Sequence, residues 1–182
     1  MNPQQILETY YPPGTLAHAI LLRHSQRVAQ KARNSALRMK GSVDVRFVEE
    51  AALLHDIGIL FTNAPELGCH GDLPYLAHGY KGRELLENAG YPRHALVCDR
   101  HIGVGLTAEE IRREKLPLPA RDMVPVSIEE QIVAYADLFF SKNPKENDRE
   151  RSPADVRRSL GRFGAEKILV FDRWHLSFGD AP

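Results

Sequence analysis

Apolar residues recur at every third or fourth position over residues 16–39, which is the spacing of one face of an α-helix. The pattern follows the break Pro12-Pro13-Gly14 and stops at Gly41, so we predict one long helix between them. The positions that carry it are Leu16, Ile20, Val28, Ala32, Ala36 and Met39. His24 lies on the same face, between Leu21 and Val28, and is therefore expected to point into the core.

Helical patterns separated by turn residues continue along the rest of the chain. Further helices are predicted over about 44–58, 77–89, 92–101, 108–115, 127–142, 152–160 and 164–176. Residues 62–75 are predicted to form a loop, and no segment alternates apolar and polar residues convincingly enough to predict a strand. The chain is therefore expected to be a single all-α domain spanning residues 1–182.

Capping residues define several of these predicted boundaries. Asp44 and Ser152 are suitable N-caps, and Ser127 with Glu130 three positions later has the form of a capping box. Pro153 suits the first position of the helix that Ser152 caps. Gly58 is expected to adopt the left-handed conformation that ends a helix.

Composition narrows the function classes without choosing one. The chain has 182 residues, 43% of them hydrophobic, and its 24 Lys plus Arg balance 24 Asp plus Glu. A formal net charge of zero provides no long-range attraction to nucleic acid or anionic membrane, so no nucleic-acid or membrane partner is expected. Neither a membrane span nor a secretory signal is visible, which predicts a cytoplasmic protein in which Cys69 and Cys98 are reduced thiols.

Six histidines and aspartates stand on inward helix faces or at helix ends. They are His24, His55, Asp56, His78, His101 and Asp137. Four imidazoles and two carboxylates directed into a helical bundle are a suitable ligand set for transition metals. Since a single catalytic zinc ion takes only about three protein ligands, two ions that share a bridging aspartate fit this number better.

Each residue also has a simpler explanation. His55 could merely cap its helix, and Asp137 could pair with an arginine such as Arg23 or Arg100. These explanations would have to hold at all six positions together, so a joint metal site is the better hypothesis.

The order of these residues resembles the HD-domain superfamily of metal-dependent phosphohydrolases. The central motif stands here as His55-Asp56-Ile57-Gly58, and the segments HSQRVAQKA, AALLHDIG, AHGYKGRELLENAGYP and IVAYADLF surround the other matching residues. The resemblance covers about residues 16–140, which would be the metal-binding core, with 141–182 as a C-terminal helical extension. It implies an all-α HD bundle with a metal centre in its interior.

The resemblance also implies a role for each matching residue. His24, His55, Asp56 and Asp137 would hold one metal ion, and Asp56 would bridge to a second ion completed by His78 and His101. One or two divalent ions (iron, manganese, zinc, nickel or cobalt) would then serve hydrolysis of a small phosphorylated metabolite, such as a nucleotide or related compound. The sequence departs from the family pattern at two positions. Ile59 stands where many members have a lysine after the glycine, and Arg100 precedes a single His101 where some phosphodiesterase branches have two consecutive histidines. The element that marks the cyclic-dinucleotide branch is absent, so that activity is not assigned.

A substrate phosphate also needs cations, which here would have to come from elsewhere in the chain. Candidates near the predicted ligands are Arg23, Lys81, Arg83, Arg100 and Lys142. Arg100 and Lys142 are favoured because each lies within five residues of a predicted ligand, and we take them with Asp56 as the candidate catalytic residues. The loop residues His70 and Asp72 are expected to shape access to the site, and the basic segment 149–162 is expected to be a solvated face.

Two other function classes remain open from the sequence. Enzymes of the HD fold that resemble myo-inositol oxygenase use a similar ligand set for a di-iron pair that activates O₂. A non-catalytic ligand-binding regulator would be expected to lose metal ligands, whereas all six positions are intact here. A homo-oligomer is possible in each case.

Overall fold

The computed structural model describes residues 2–39, 41–143 and 149–179, and within them it is mostly helical. The α-helices are α1 Pro3–Tyr10, α2 Leu16–Arg38, α3 Val45–Leu54, α4 His78–Asn88, α5 Pro92–Arg100, α6 Ala108–Arg113, α7 Ile128–Asp137, α8 Pro153–Leu160 and α9 Ala165–Phe178. Short 3₁₀ turns cover Ile57–Phe61, Pro65–Leu67, Tyr75–Ala77 and Gly161–Phe163. The all-α prediction is confirmed, and no described helix combines the length and apolarity required to cross a membrane.

Helix α2 is the central element, and it packs along α3 and α7. Its C-terminal part, from Val28 onward, belongs to a hydrophobic cluster with α3, α7 and α9. Its N-terminal part, with Ile20 and Leu21, belongs to a second cluster with α1, the 3₁₀ turn Ile57–Phe61, α4 and α5. His24 lies where α2 passes from one cluster to the other, so a polar side chain is placed at the boundary between two apolar cores.

The chain turns sharply after α3, and that turn carries the His-Asp pair. His55 is the C-cap of α3 and Asp56 precedes the 3₁₀ turn Ile57–Phe61. The expectation that Gly58 is left-handed is wrong, because Gly58 lies within the 3₁₀ turn and does not have a positive φ. A Cβ at Gly58 would lie 2.1 Å from the His78 carbonyl oxygen and 2.3 Å from the Gly82 nitrogen. Glycine is therefore required because the turn packs backbone against backbone on α4.

The predicted caps at Asp44 and Ser152 are confirmed. Their side chains accept hydrogen bonds from the amides of Phe47 and Asp155, and Pro153 occupies the first turn of α8. The capping box at Ser127 is only half formed. Ser127 accepts from the Glu130 amide. The Glu130 carboxylate instead accepts from the amide of Val126 and from Arg100.

Three local features differ from the predictions. Helix α1 was not predicted, although Asn2 followed by proline is a recognisable helix start. Residues 62–75 hold a two-residue antiparallel pair, β1 Asn63–Ala64 with β2 Cys69–His70. Helix α7 ends at Asp137 rather than near residue 142, which turns the following segment back toward the interior. Cys69 and Cys98 are both free, as predicted, and both are buried.

Candidate metal centre

The six predicted site residues converge in the interior from five parts of the chain. His24 comes from the middle of α2, His55 and Asp56 from the end of α3, His78 from the start of α4, His101 from the end of α5, and Asp137 from the end of α7. Their side chains are almost fully buried, and Asp137 retains the most exposure, at 16%. Two groups of ligand atoms result, and Asp56 belongs to both.

The first group contains His24, His55, Asp56 and Asp137. The Nε2 atoms of His24 and His55 are 3.4 Å apart, and each lies 3.0–3.3 Å from Asp137 Oδ1 and from Asp56 Oδ2. Two atoms spaced in this way subtend about 90–110° at an ion bonded to both at about 2.1 Å, as in tetrahedral and octahedral coordination. The residues present therefore fit a divalent transition-metal ion.

The second group contains His78, His101 and the other oxygen of Asp56. The Nε2 atoms of the two histidines are 3.2 Å apart, and each lies 3.5 Å from Asp56 Oδ1. Asp56 thus turns Oδ2 toward one group and Oδ1 toward the other, which is the orientation of a carboxylate that bridges two ions. Both oxygens are buried, and neither receives a well-aligned hydrogen bond from the described residues.

Backbone hydrogen bonds determine which ring nitrogens face the centre. The Nδ1 atoms of His55, His78 and His101 lie 2.7, 2.7 and 2.8 Å from carbonyl oxygens three residues earlier, those of Ala52, Tyr75 and Cys98. A carbonyl only accepts, so each Nδ1 carries a proton, and in the neutral ring the Nε2 lone pair points inward. Three lone pairs and two carboxylates directed at one another repel unless a cation or added protons lie between them.

The pKa values reflect the same crowding. Burial lowers the pKa of His78 to about 3, so this ring is neutral, as a metal ligand must be. Burial also acts to lower the pKa of His55, but the adjacent Asp56 and Asp137 outweigh it and raise the value to about 10. The pKa values of both carboxyls lie well below their usual range, because the cations beside them outweigh burial. The positive charges of His55 and Lys142 therefore offset the negative charges of these two buried carboxylates.

Lys142 supplies a further positive charge at the centre. Its Nζ lies 2.8 Å from Asp56 Oδ2 and 3.8 Å from Asp137 Oδ1, and these carboxylates raise its pKa despite burial. Arg100 lies elsewhere, with Nη1 3.0 Å from both oxygens of Glu130. Lys81 pairs with Glu84, and Arg83 with Glu87 and Asp99. Of the two favoured cations, the structure thus brings Lys142 to the carboxylates, and a substrate contact by Arg100 stays a prediction.

A cavity of about 490 Å³ opens beside this lysine. Lys142, Tyr75, Phe140 and Arg151 are among the residues that line it, and its volume is typical of a small-molecule site. Tyr75 was not among the predicted site residues. Its ring packs against His78 at a centroid distance of 4.8 Å, and its carbonyl oxygen accepts a hydrogen bond from His78 Nδ1. Its position three residues before a predicted ligand was the available signal, since Ala52 and Cys98 stand three residues before two others.

Comparisons with known proteins identify the family of this chain and two longer proteins that contain a similar segment. The family model of the HD domain matches residues 21–140. The chain is 38% identical to the uncharacterized protein MJ0778 of Methanocaldococcus jannaschii over 157 residues, which cover 84% of this chain and 85% of that protein. It also matches two tRNA (cytidine(56)-2'-O)-methyltransferases. That of Picrophilus torridus is 37% identical over 69% of this chain and 33% of its own length, and that of Thermoplasma volcanium is 33% identical over 77% of this chain and 37% of its own length. The matched segment thus spans about a third of each methyltransferase.

Solved structures of the HD domain of the phosphodiesterase PgpH from L. monocytogenes share the fold. One superimposes with a TM-score of 0.54 at 15% identity, covering 92% of this chain and 94% of the other. The second, a complex with cyclic-di-AMP, superimposes with a TM-score of 0.56 at 16% identity, covering 96% of each chain. At this level of identity the likeness concerns the arrangement of the helices.

Proposed function

The chain belongs to the HD-domain family, and from that premise we propose that it is a metal-dependent phosphohydrolase acting on a small phosphorylated metabolite. The substrate class that we propose is a nucleotide or a related phosphoester. The observation that carries the proposal is the set of inward-facing acceptors, in which three histidines have their Nδ1 protons committed to carbonyls and Asp56 faces both groups. Such a set of acceptors suits the binding of the cations that phosphoester hydrolysis requires.

In this proposal the two groups hold one ion each. His24, His55, Asp56 Oδ2 and Asp137 would hold the first, and Asp56 Oδ1, His78 and His101 would hold the second. Such ions supply positive charge that polarises a phosphoryl oxygen and makes water a stronger nucleophile near neutral pH. The family implies divalent transition metals, and the nitrogen-rich donor set suits iron, manganese, zinc, nickel or cobalt.

The protein's own contribution beyond the ligands is charge and shape at the mouth of the site. The Lys142 ammonium lies between Asp56 and the cavity, where it can donate to a phosphate oxygen and offset the negative charge that accumulates during hydrolysis. Tyr75 is partly exposed and lines the same cavity. A substrate with a flat ring and a phosphate would match these two groups, which is why we propose a nucleotide-like compound.

The methyltransferase relatives favour an RNA-linked phosphoester as a second candidate substrate. In both of them a segment similar to this chain is joined in one polypeptide to an activity named for tRNA. Domains fused in one chain commonly act on the same molecule, so a phosphate carried by RNA is a reasonable alternative to a free nucleotide. The metal centre and Lys142 would serve either substrate in the same way.

Elemental analysis combined with a substrate screen tests the proposal. Protein purified without oxygen is analysed for metals, stripped with a chelator, reloaded with Mn²⁺ or Co²⁺, and assayed under argon for phosphate release from nucleotides and sugar phosphates. We expect one or two ions per chain and release that depends on them. Asp56→Asn should lose both the metal and the release, because each oxygen of Asp56 serves one group. Asp172→Asn is the matched control, since this partly exposed residue pairs with Arg157 on α8, outside both groups of candidate ligands.

Other results would favour the alternative functions. Iron-dependent consumption of O₂, with no phosphate release under argon, would replace hydrolysis by an oxygenase reaction. Protein that carries no metal and cannot be loaded with any would indicate a ligand-binding regulator. Full activity in Asp56→Asn would contradict the assignment of the site itself.

A further inference from the structure

We propose that the polar face of α2 binds an RNA strand along a basic track that begins beside the metal centre. This inference deepens the RNA-linked alternative of the proposed function and rests on it for the location of the reacting phosphate. The track consists of Arg23, Arg27, Lys31 and Arg38, with the amides Gln30 and Asn34 between them. It runs away from His24, the ligand that α2 contributes.

The charge of α2 is strongly one-sided. Its 23 residues include no aspartate or glutamate, although the chain as a whole has equal numbers of acidic and basic residues. Arg23, Arg27, Lys31 and Arg38 are separated by four, four and seven positions, so they lie on one face of the helix. The net charge of zero, from which no nucleic-acid partner was expected, is compatible with a row of cations on one face of a single helix.

A groove follows this face. It has a volume of about 240 Å³ and is lined by Arg27, Lys31 and Arg38 together with Phe140 and one acidic residue, Glu150. Phe140 also lines the cavity beside Lys142, so the groove and the candidate substrate cavity adjoin at this residue. A strand seated in the groove would therefore lead toward the cavity beside Lys142.

Contacts within the groove hold its cations in defined positions. The Arg27 guanidinium stacks over Phe140 at 4.8 Å, and Lys31 lies 4.1 Å above Phe139 and 2.6 Å from Glu150. Arg38 donates to the Phe178 carbonyl. Positioned guanidinium groups bind phosphate with less loss of side-chain freedom than mobile ones do.

The length of the track favours a polynucleotide over a free nucleotide. From Arg23 to Arg38 the helix rises about 22 Å, which is longer than a single nucleotide. A row of cations interleaved with amide side chains matches the alternating phosphates and sugar hydroxyls of an RNA backbone. Such contacts would position the strand without reading its sequence.

Fluorescence anisotropy with a labelled single-stranded RNA of 12 nucleotides tests the surface. The full chain is used in a chelator, so that no hydrolysis occurs, and the affinity is measured as a function of salt. We expect that Arg23→Gln/Arg27→Gln/Arg38→Gln weakens binding about 100-fold at 0.1 M salt and lowers the salt slope by about 2, because each phosphate contact on a single strand contributes about 0.7 to the slope. The single change Arg27→Gln should weaken binding about fivefold, which keeps the test valid if the triple variant does not fold.

Arg157→Gln/Arg158→Gln/Arg162→Gln is the matched control, since it removes the same charge from α8 and the turn after it. Equal weakening in the control would overturn the inference, because binding would then be unspecific or would use the other basic segment. Absence of RNA binding by the parent protein at low salt would also overturn it. Both results leave the proposed hydrolysis unaffected, since that is measured on small phosphoesters, whereas RNA binding by a protein that hydrolyses nothing would overturn only the proposed function.

Discussion

The proton on His55 provides the sharpest test of the metal centre, because it links stability, pH and metal affinity. His55 Nδ1 faces the Ala52 carbonyl at 2.7 Å, while its Nε2 faces Asp56 Oδ2 at 3.0 Å and Asp137 Oδ1 at 3.3 Å. The Nδ1 atom thus faces a carbonyl oxygen and the Nε2 atom lies near two carboxylate oxygens, which favours an imidazolium. The two carboxylates raise the pKa of His55 to about 10 against the effect of burial.

A pKa that is higher in the folded than in the unfolded chain stabilises the fold at low pH. The stabilisation by His55 is complete below about pH 6.5 and is lost as the pH rises toward 10. Each unit of difference between the folded and unfolded pKa corresponds to about 1.4 kcal/mol, so protonation of His55 adds at most about 5 kcal/mol to the free energy of unfolding. Metal affinity should change in the opposite direction and rise about tenfold per pH unit, since a metal ion must displace one proton from this ring.

Two measurements test this link. Chemical unfolding of the metal-free protein at several pH values between 7 and 9 should show the free energy of unfolding falling by about 1.4 kcal/mol per pH unit. Competition with a chelator of known affinity between pH 6.5 and 8 should show metal binding strengthening over that range. His55→Gln should flatten the stability trend, whereas His70→Gln, a change at an exposed position of β2, should not. Metal affinity independent of pH, or an unchanged stability trend in His55→Gln, would refute the reasoning.

Three further predictions concern the same centre. Gly58→Ala forces a Cβ against the His78 backbone and should lower the free energy of unfolding by about 1–3 kcal/mol. In calorimetry this should lower the Tm by about 2–12 °C. The control Gly161→Ala, whose Cβ meets only the end of a flexible side chain, should change the Tm little. Lys142→Gln removes a charged donor beside the cavity and should reduce kcat/KM about 10–150-fold. An equal reduction in the control Lys81→Gln would show that Lys142 acts only through the overall charge of the protein. Loading metal at 100 times its Kd should stabilise the protein by about 2.7 kcal/mol and raise the Tm by about 5–11 °C, and an unchanged melting curve would contradict metal binding in the folded state.

Local chemistry explains why much of the secondary structure was predictable. Helix periodicity and capping act over three or four residues, so α2 and the caps at Asp44 and Ser152 could be predicted from neighbouring positions alone. Glu130 shows the limit of such reasoning. Its position matches a capping box, but its carboxylate bonds to Arg100, thirty residues away, because the fold brings α5 against α7.

The six candidate ligands could be identified because each lies at a position that its own helix makes distinctive, either on an inward face or at a helix end. The prediction that they meet is confirmed by their distances. Their individual roles as ligands stay a prediction, as does a substrate contact by Arg100.

The sequence by itself determined most of the helical segments and the polar residues that those helices turn inward, because both follow from patterns a few residues long. Only the tertiary structure decided that Asp56 turns one oxygen to each group, that Lys142 returns to the carboxylates after α7, and that Gly58 lies against the backbone of α4. Each of these features depends on contacts between segments distant in the chain. Such contacts are set by the way the two apolar clusters pack against each other, which no local pattern encodes.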